Sequence, residues 1–134
     1  MKVWAHRGAA AYAPENTLEA FELAIKMGAD GVELDVHLSR DGEIVVAHDE
    51  RVDRVSNGRG LIQEMTLSEI KELDFGVRFE AYRGAKAPTL REVYELHGQC
   101  GTQDHGFRLS GHRAKVRGSG PGNGHDPAGI VFLV

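Results

Sequence analysis

The sequence has 134 residues, 41% of them hydrophobic, enough for one globular domain and too few for two ordinary ones. With 16 basic against 20 acidic side chains, the net charge of −4 excludes a nucleic-acid binder driven by bulk positive charge. The longest apolar run, Ile130 to Val134, is far short of the roughly 20 residues of a membrane helix. No secretory leader opens the chain and Cys100 has no second cysteine, so a soluble cytoplasmic protein is expected.

Lys2 to Ala5 reads as a short buried strand that runs into His6-Arg7-Gly8. Asn16 suits a helix N-cap, with Glu19 three residues on in a capping-box arrangement. Leu18, Phe21 and Ile25 follow at helical spacing, and Gly28 suits the stop. Gly31 to Leu38 alternates strictly and predicts a strand. Val32, Leu34, Val36 and Leu38 share one face, and Glu33, Asp35 and His37 share the other.

Asp41-Gly42 is a turn signal, and Glu43 to Ala47 a second strand pattern that delivers His48-Asp49. Thr66 with Glu69 frames a short helix, and Thr89 with Glu92, just after Pro88, frames another. This order suits the opening units of an α/β protein with parallel strands.

Composition breaks near residue 97. Residues 1–96 carry 18 of the 20 acidic residues, while residues 97–134 hold 9 of the 17 glycines, 4 of the 7 histidines and no Glu. The first part is net −6 and the tail net +2. A Gly-rich tail with little periodicity buries too little apolar surface to offset its chain entropy, so an irregular tail over 97–134 is expected.

The chemistry gathers at strand ends. Glu33 and Asp35 are two apart on one strand, with Cα atoms expected roughly 6–7 Å apart. Their carboxylates can converge on a hard divalent cation, Mg²⁺ or Ca²⁺, or form the solvated face of a half-exposed sheet. Arg7 can contact a phosphate bidentately, with Gly8 letting a backbone amide approach; an ordinary strand-to-loop turn accounts for the tripeptide equally. His6 and His48, both at strand ends near the carboxylates, could share general acid and base work. His37 lies on the same face but is left out of the site. Asn16 reads as a helix cap. Ser56 to Gly60 lacks the lysine of a P-loop, and His97, Cys100, His105 and His112 match no common zinc spacing.

Taken together, His6-Arg7-Gly8-Ala9, Pro14-Glu15-Asn16-Thr17, Gly28-Ala29-Asp30, Val32-Glu33-Leu34-Asp35-Val36, Asp41-Gly42 and Val45-Val46-Ala47-His48-Asp49 form an ordered set. The set resembles the glycerophosphodiester phosphodiesterase family over residues 2–96. Gly58-Arg59-Gly60, Leu73-Asp74-Phe75-Gly76 and Pro88 to Val93 fit as well.

The resemblance implies a TIM-barrel fold and metal-dependent cleavage of glycerophosphodiesters to sn-glycerol 3-phosphate and an alcohol. By analogy His6 and His48 would be the general base and acid, Glu33 and Asp35 the metal ligands, and Arg7 the phosphate ligand. In the family the glycerol hydroxyl beside the phosphate attacks first, and water opens the cyclic intermediate. The segment after His48 would be the family's small insertion beside the barrel.

The sequence also departs from the pattern. A (β/α)₈ barrel takes around 250 residues, and no Glu follows Glu95 to match the family's third metal-binding Glu. The expectation is a partial barrel over 1–96 with a Gly-rich tail over 97–134, shifted in frame or truncated. An unpaired strand edge would follow. Two rival functions are a sphingomyelinase D-like phosphodiester lyase with the same two-histidine layout, and a non-enzymatic remnant.

Overall fold

The computed structural model describes residues 1–99, 115–116 and 130–133, with side chains through residue 96. β1 spans Trp4–His6, α1 Leu18–Lys26, β2 Gly31–Leu38 and β3 Ile44–Val46. α2 spans Leu67–Lys71, α3 Leu90–Gln99, β4 Lys115–Val116 and β5 Ile130–Leu133. Among the described residues no helix is long and apolar enough to cross a membrane.

β2 is the hub of the sheet. β1 runs parallel to its first half, pairing His6 with Glu33, and β3 runs antiparallel to its end, pairing Val36 with Val46. Arg7 N–H donates to the Glu33 carbonyl and Ala47 N–H to the Asp35 carbonyl, so β1 and β3 lie end to end along one edge of β2. β5 pairs antiparallel with Glu33 to Val36, and β4 pairs with β5. The described strands form this five-stranded mixed sheet. The expected parallel strands are β1 and β2, while the tight Asp41-Gly42 turn, with Gly42 at φ 81°, returns β3 antiparallel as a hairpin.

Two cores flank the hairpin. Val32, Leu34 and Val36 of β2 pack with Phe21 and Ala24 of α1 and with Leu90 and Val93 of α3. A second core gathers Val45, Ala47, Val52, Ile62, Ile70, Phe75 and Ala87 beneath the segment between β3 and α3. Adjacent residues of β3 alternate between them: Val46 enters the first core and Val45 the second.

Several local expectations shift. β1 begins at Trp4 rather than Lys2 and is not buried, because its pairing with Gly31 to Glu33 sets the register while Val3 and Trp4 face outward. Thr17, not Asn16, caps α1. Thr17 lies in the extended region an N-cap needs and accepts from Ala20 N–H, whereas Asn16 is left-handed at φ 55°. Gly28, at φ 86°, ends the helix as expected. Thr66 and Glu69 complete a capping box, and Thr89 accepts from Glu92 N–H.

Part of the expected tail falls in described elements. α3 runs on to Gln99, and the β-branched and aromatic run Ile130–Leu133 occupies the free edge of β2. The rest of the expected tail, with Cys100, His105 and His112, lies outside the described residues, as does the side chain of His97.

Candidate functional site

The face of β2 opposite the first core carries the chemistry. Register places His6 beside Glu33, and His6 Nε2 comes within 3.2 Å of Glu33 Oε2. Asp35, one strand period on, is 7% exposed. Arg7 adopts φ 60° at the end of β1, which turns its guanidinium back over the sheet. Its Nε lies 3.8 Å from Asp35 Oδ2, an ion-pair approach too long for a hydrogen bond, and its Nη1 donates to Glu15 Oε2 at 3.3 Å. Gly8 makes the turn possible: at φ 80°, a Cβ there would sit 2.7 Å from the Ala20 carbonyl carbon.

His48 lies two residues beyond β3. Its Nδ1 is 2.7 Å from Asp49 Oδ1, and its backbone carbonyl is 2.9 Å from His37 Nε2. Arg54 then ties the region together. Its Nε donates to Asp49 Oδ2 at 2.7 Å, and its Nη2 donates to Glu15. The chain of contacts from His48 through Asp49, Arg54 and Glu15 ends at Arg7.

The electrostatics follow from these contacts. The Arg54 hydrogen bond holds Asp49 down at about 2 against its burial, with His48 adding to the effect. Burial opposes ionisation of Glu15, but the Arg54 hydrogen bond and the charges of Arg54 and Arg7 leave it below its ordinary value. Glu33 moves the other way. Burial raises it, the charge of Asp35 raises it further, and His6, Arg7 and His48 offset only part of this.

Glu33 Oε2 and Asp35 Oδ2 are buried and lack a hydrogen-bond partner among the described residues. Two buried carboxylate oxygens on one face, one on a group whose ionisation burial opposes, fit a divalent cation. Among the described residues no group of three or more His, Cys, Asp and Glu gathers around a metal position.

The structure thus brings His6, Arg7, Glu33 and Asp35 together, and places His48 on a network that reaches Arg7. Reading the sequence missed Glu15, Asp49 and Arg54 as members of this arrangement, and it left out His37, which it had placed on the same face. Glu15 lies within the Pro14 to Thr17 motif and Asp49 beside His48, but nothing local singled out Arg54. The Ser56 to Gly60 loop turns its amides inward: Gly58 N–H donates to Ser56 and Gly60 N–H to Asp53.

Comparison with known proteins bears on the family of this chain. A family model described as the glycerophosphoryl diester phosphodiesterase family matches residues 6–109. A glycerophosphodiester phosphodiesterase of Caldanaerobacter subterraneus is 55% identical over 97 residues, which cover 72% of this chain and 40% of that protein. Human glycerophosphodiester phosphodiesterase 1 is 43% identical over 92 residues, covering 66% of this chain and 28% of that one.

Among solved structures, the glycerophosphodiester phosphodiesterase of Agrobacterium tumefaciens superposes with a TM-score of 0.70 at 46% identity, covering 75% of this chain and 45% of that one. An Oleispira antarctica phosphodiesterase in complex with the product sn-glycerol-3-phosphate gives 0.71 at 43% identity, over 74% of this chain and 40% of that one. The chain spans less than half the length of each of these relatives. With the match running from His6 through both histidines, both carboxylates and α3, the chain belongs to the glycerophosphoryl diester phosphodiesterase family.

Proposed function

We propose that this chain carries the first part of a TIM-barrel-type active site for hydrolysis of glycerophosphodiesters to sn-glycerol 3-phosphate and an alcohol. One observation carries the reading: His6, Arg7, Glu33 and Asp35 converge on a single face where β1 meets β2. Residues 1–96 form the barrel-type unit in this reading. The relatives named as phosphodiesterases favour hydrolysis over the lyase and remnant alternatives.

Arg7 orients the phosphoryl group and offsets charge on its non-bridging oxygens. His6 takes the proton from the glycerol hydroxyl beside the phosphate as that oxygen attacks phosphorus. His48 gives a proton to the departing alcohol oxygen. Water then opens the cyclic phosphate with the roles exchanged, His48 accepting the proton of water and His6 returning one to the glycerol oxygen. Both imidazoles end as they began.

Asp49 holds His48 through Nδ1 and leaves its Nε2 for this proton transfer. Glu33 and Asp35 would hold Mg²⁺ or Ca²⁺, which supplies positive charge near the phosphoryl oxygens when bound.

The test is release of glycerol 3-phosphate from glycerophosphocholine by the purified 134-residue chain, with Mg²⁺, with Ca²⁺ and with EDTA. Metal-dependent release that H6A abolishes supports the reading. Soluble protein with no release in any arm overturns it for this chain.

A further inference from the structure

Asn16 has no role in the site described so far, yet among the described residues it is the one whose buried side chain leaves both polar atoms without a partner. It is 3% exposed, it sits at φ 55°, and neither Oδ1 nor Nδ2 of its side chain has a hydrogen-bond partner among the described residues. Buried amides are almost always bonded, and leaving one open costs stability. Because both atoms are open, turning the amide over leaves the same donor and acceptor unmet.

Its position is equally telling. Asn16 N–H donates to the Arg7 carbonyl at 3.0 Å, so this residue is tied by backbone to the phosphate-binding candidate. The preceding residue, Glu15, accepts from both Arg7 and Arg54. Among the described residues the other buried side-chain atoms without a hydrogen-bond partner are Arg7 Nε, Glu33 Oε2 and Asp35 Oδ2. The open polar atoms of the described residues thus fall on Asn16 and on the site face, while the capping role expected of Asn16 is filled by Thr17.

This set has a definite chemistry. Glu33 and Asp35 offer acceptors that a cation satisfies. Arg7 Nε and Asn16 Nδ2 offer two donors, which an anionic oxygen satisfies. Asn16 Oδ1 offers one neutral acceptor, which a hydroxyl satisfies. A phosphoryl group joined to a hydroxyl-bearing carbon chain carries the partners that these last three atoms lack.

We propose that Asn16 is a substrate-binding residue whose amide spans the phosphoryl group and the neighbouring hydroxyl of a glycerophosphoryl ligand. The proposal rests on the phosphodiesterase reading of the site. The residue type follows: an amide supplies donor and acceptor at once, and asparagine tolerates the left-handed backbone that the turn into α1 imposes.

The experiment is calorimetric titration of the full chain with sn-glycerol 3-phosphate and, separately, with inorganic phosphate, both with Mg²⁺ present. The chains compared are unsubstituted, N16G and N16D. Glycine accepts φ 55° without strain, so N16G removes the side chain and keeps the turn. N16D keeps an acceptor and replaces the donor with a charge that repels phosphate.

The expected result is affinity for glycerol 3-phosphate about 10- to 100-fold weaker in N16G, weaker still in N16D, with melting temperatures that do not fall in step. N16G binding as tightly as the unsubstituted chain overturns the Asn16 assignment alone. No binding by the unsubstituted chain overturns the phosphodiesterase reading and the proposal with it.

A second readout needs no variant. On titration of the unsubstituted chain, the side-chain amide resonance of Asn16 must move while that of Asn57, which is engaged with Asp74, stays in place. An unmoved Asn16 resonance at saturating ligand overturns the proposal.

Discussion

His48 and Asp49, neighbours in sequence, are bonded to each other through their side chains, with Nδ1 and Oδ1 2.7 Å apart. Since Asp49 is held at about 2, it is ionised at neutral pH and holds the proton on Nδ1 of His48, which leaves Nε2 to give and take the catalytic proton. In D49N that electrostatic hold is gone. Turnover of glycerophosphocholine is expected to fall on the order of 10²-fold, with KM little changed. Steady-state kinetics on D49N beside the parent decides it, and equal kcat values would remove Asp49 from the mechanism.

The same carboxylate predicts a pH dependence of stability. Its folded value, about 2, lies below its ordinary value of 3.8. Its contribution is therefore complete above about pH 4 and is lost as pH falls toward 2. Glu15, also lowered, acts in the same direction. At pH 6, D49N is expected to be less stable by about 1 kcal/mol after allowance for solvent screening. Melting curves from pH 2 to 6 should show the two proteins converging at the acid end.

Glu33 carries the opposite sign. Raised first by burial and then by Asp35, it keeps its proton to higher pH when folded than when unfolded. Ionising it therefore destabilises the fold above its ordinary value of 4.5, and the penalty is complete once pH exceeds the raised value. E33Q should melt at a higher temperature than the parent at pH 7, the gap closing by about pH 4. Mg²⁺ or Ca²⁺ should raise the melting temperature of the parent and leave E33Q unmoved. A parent that metal does not stabilise would count against the Glu33–Asp35 cation site.

Gly8 tests the turn that aims Arg7. An added Cβ meets the Ala20 backbone at 2.7 Å from a conformation that L-residues rarely adopt. G8A is expected to cost about 3 kcal/mol, and phosphate affinity should suffer with it as Arg7 loses its direction. Chemical denaturation of G8A beside the parent measures the first part. A loss below about 0.5 kcal/mol would show that the turn yields easily.

Much of this was legible because the local signals were strong. The strict alternation of Gly31 to Leu38 announced β2 and put Glu33 and Asp35 on one face. Thr66 with Glu69 announced α2 through a complete capping box. The N-cap of α1 was displaced by one residue because Asn and Thr are both good caps. Only the backbone angles, left-handed at Asn16 and extended at Thr17, separate them. The network through Arg54 was invisible for a different reason. Its partners Glu15 and Asp49 lie 39 and 5 residues away, and no periodicity relates them.

β3, three residues long, has one side chain in each of two separate cores. Its outgoing amides are held by different partners, Val46 N–H by the Pro88 carbonyl and Ala47 N–H by that of Asp35. The two halves of the molecule are thus riveted through one short segment and should open as a single cooperative unit. Loosening the outer half, at Ile70 or Phe75, would quicken amide hydrogen exchange at Val46 and Ala47. A substitution far from phosphate would in this way be felt by the imidazole that follows.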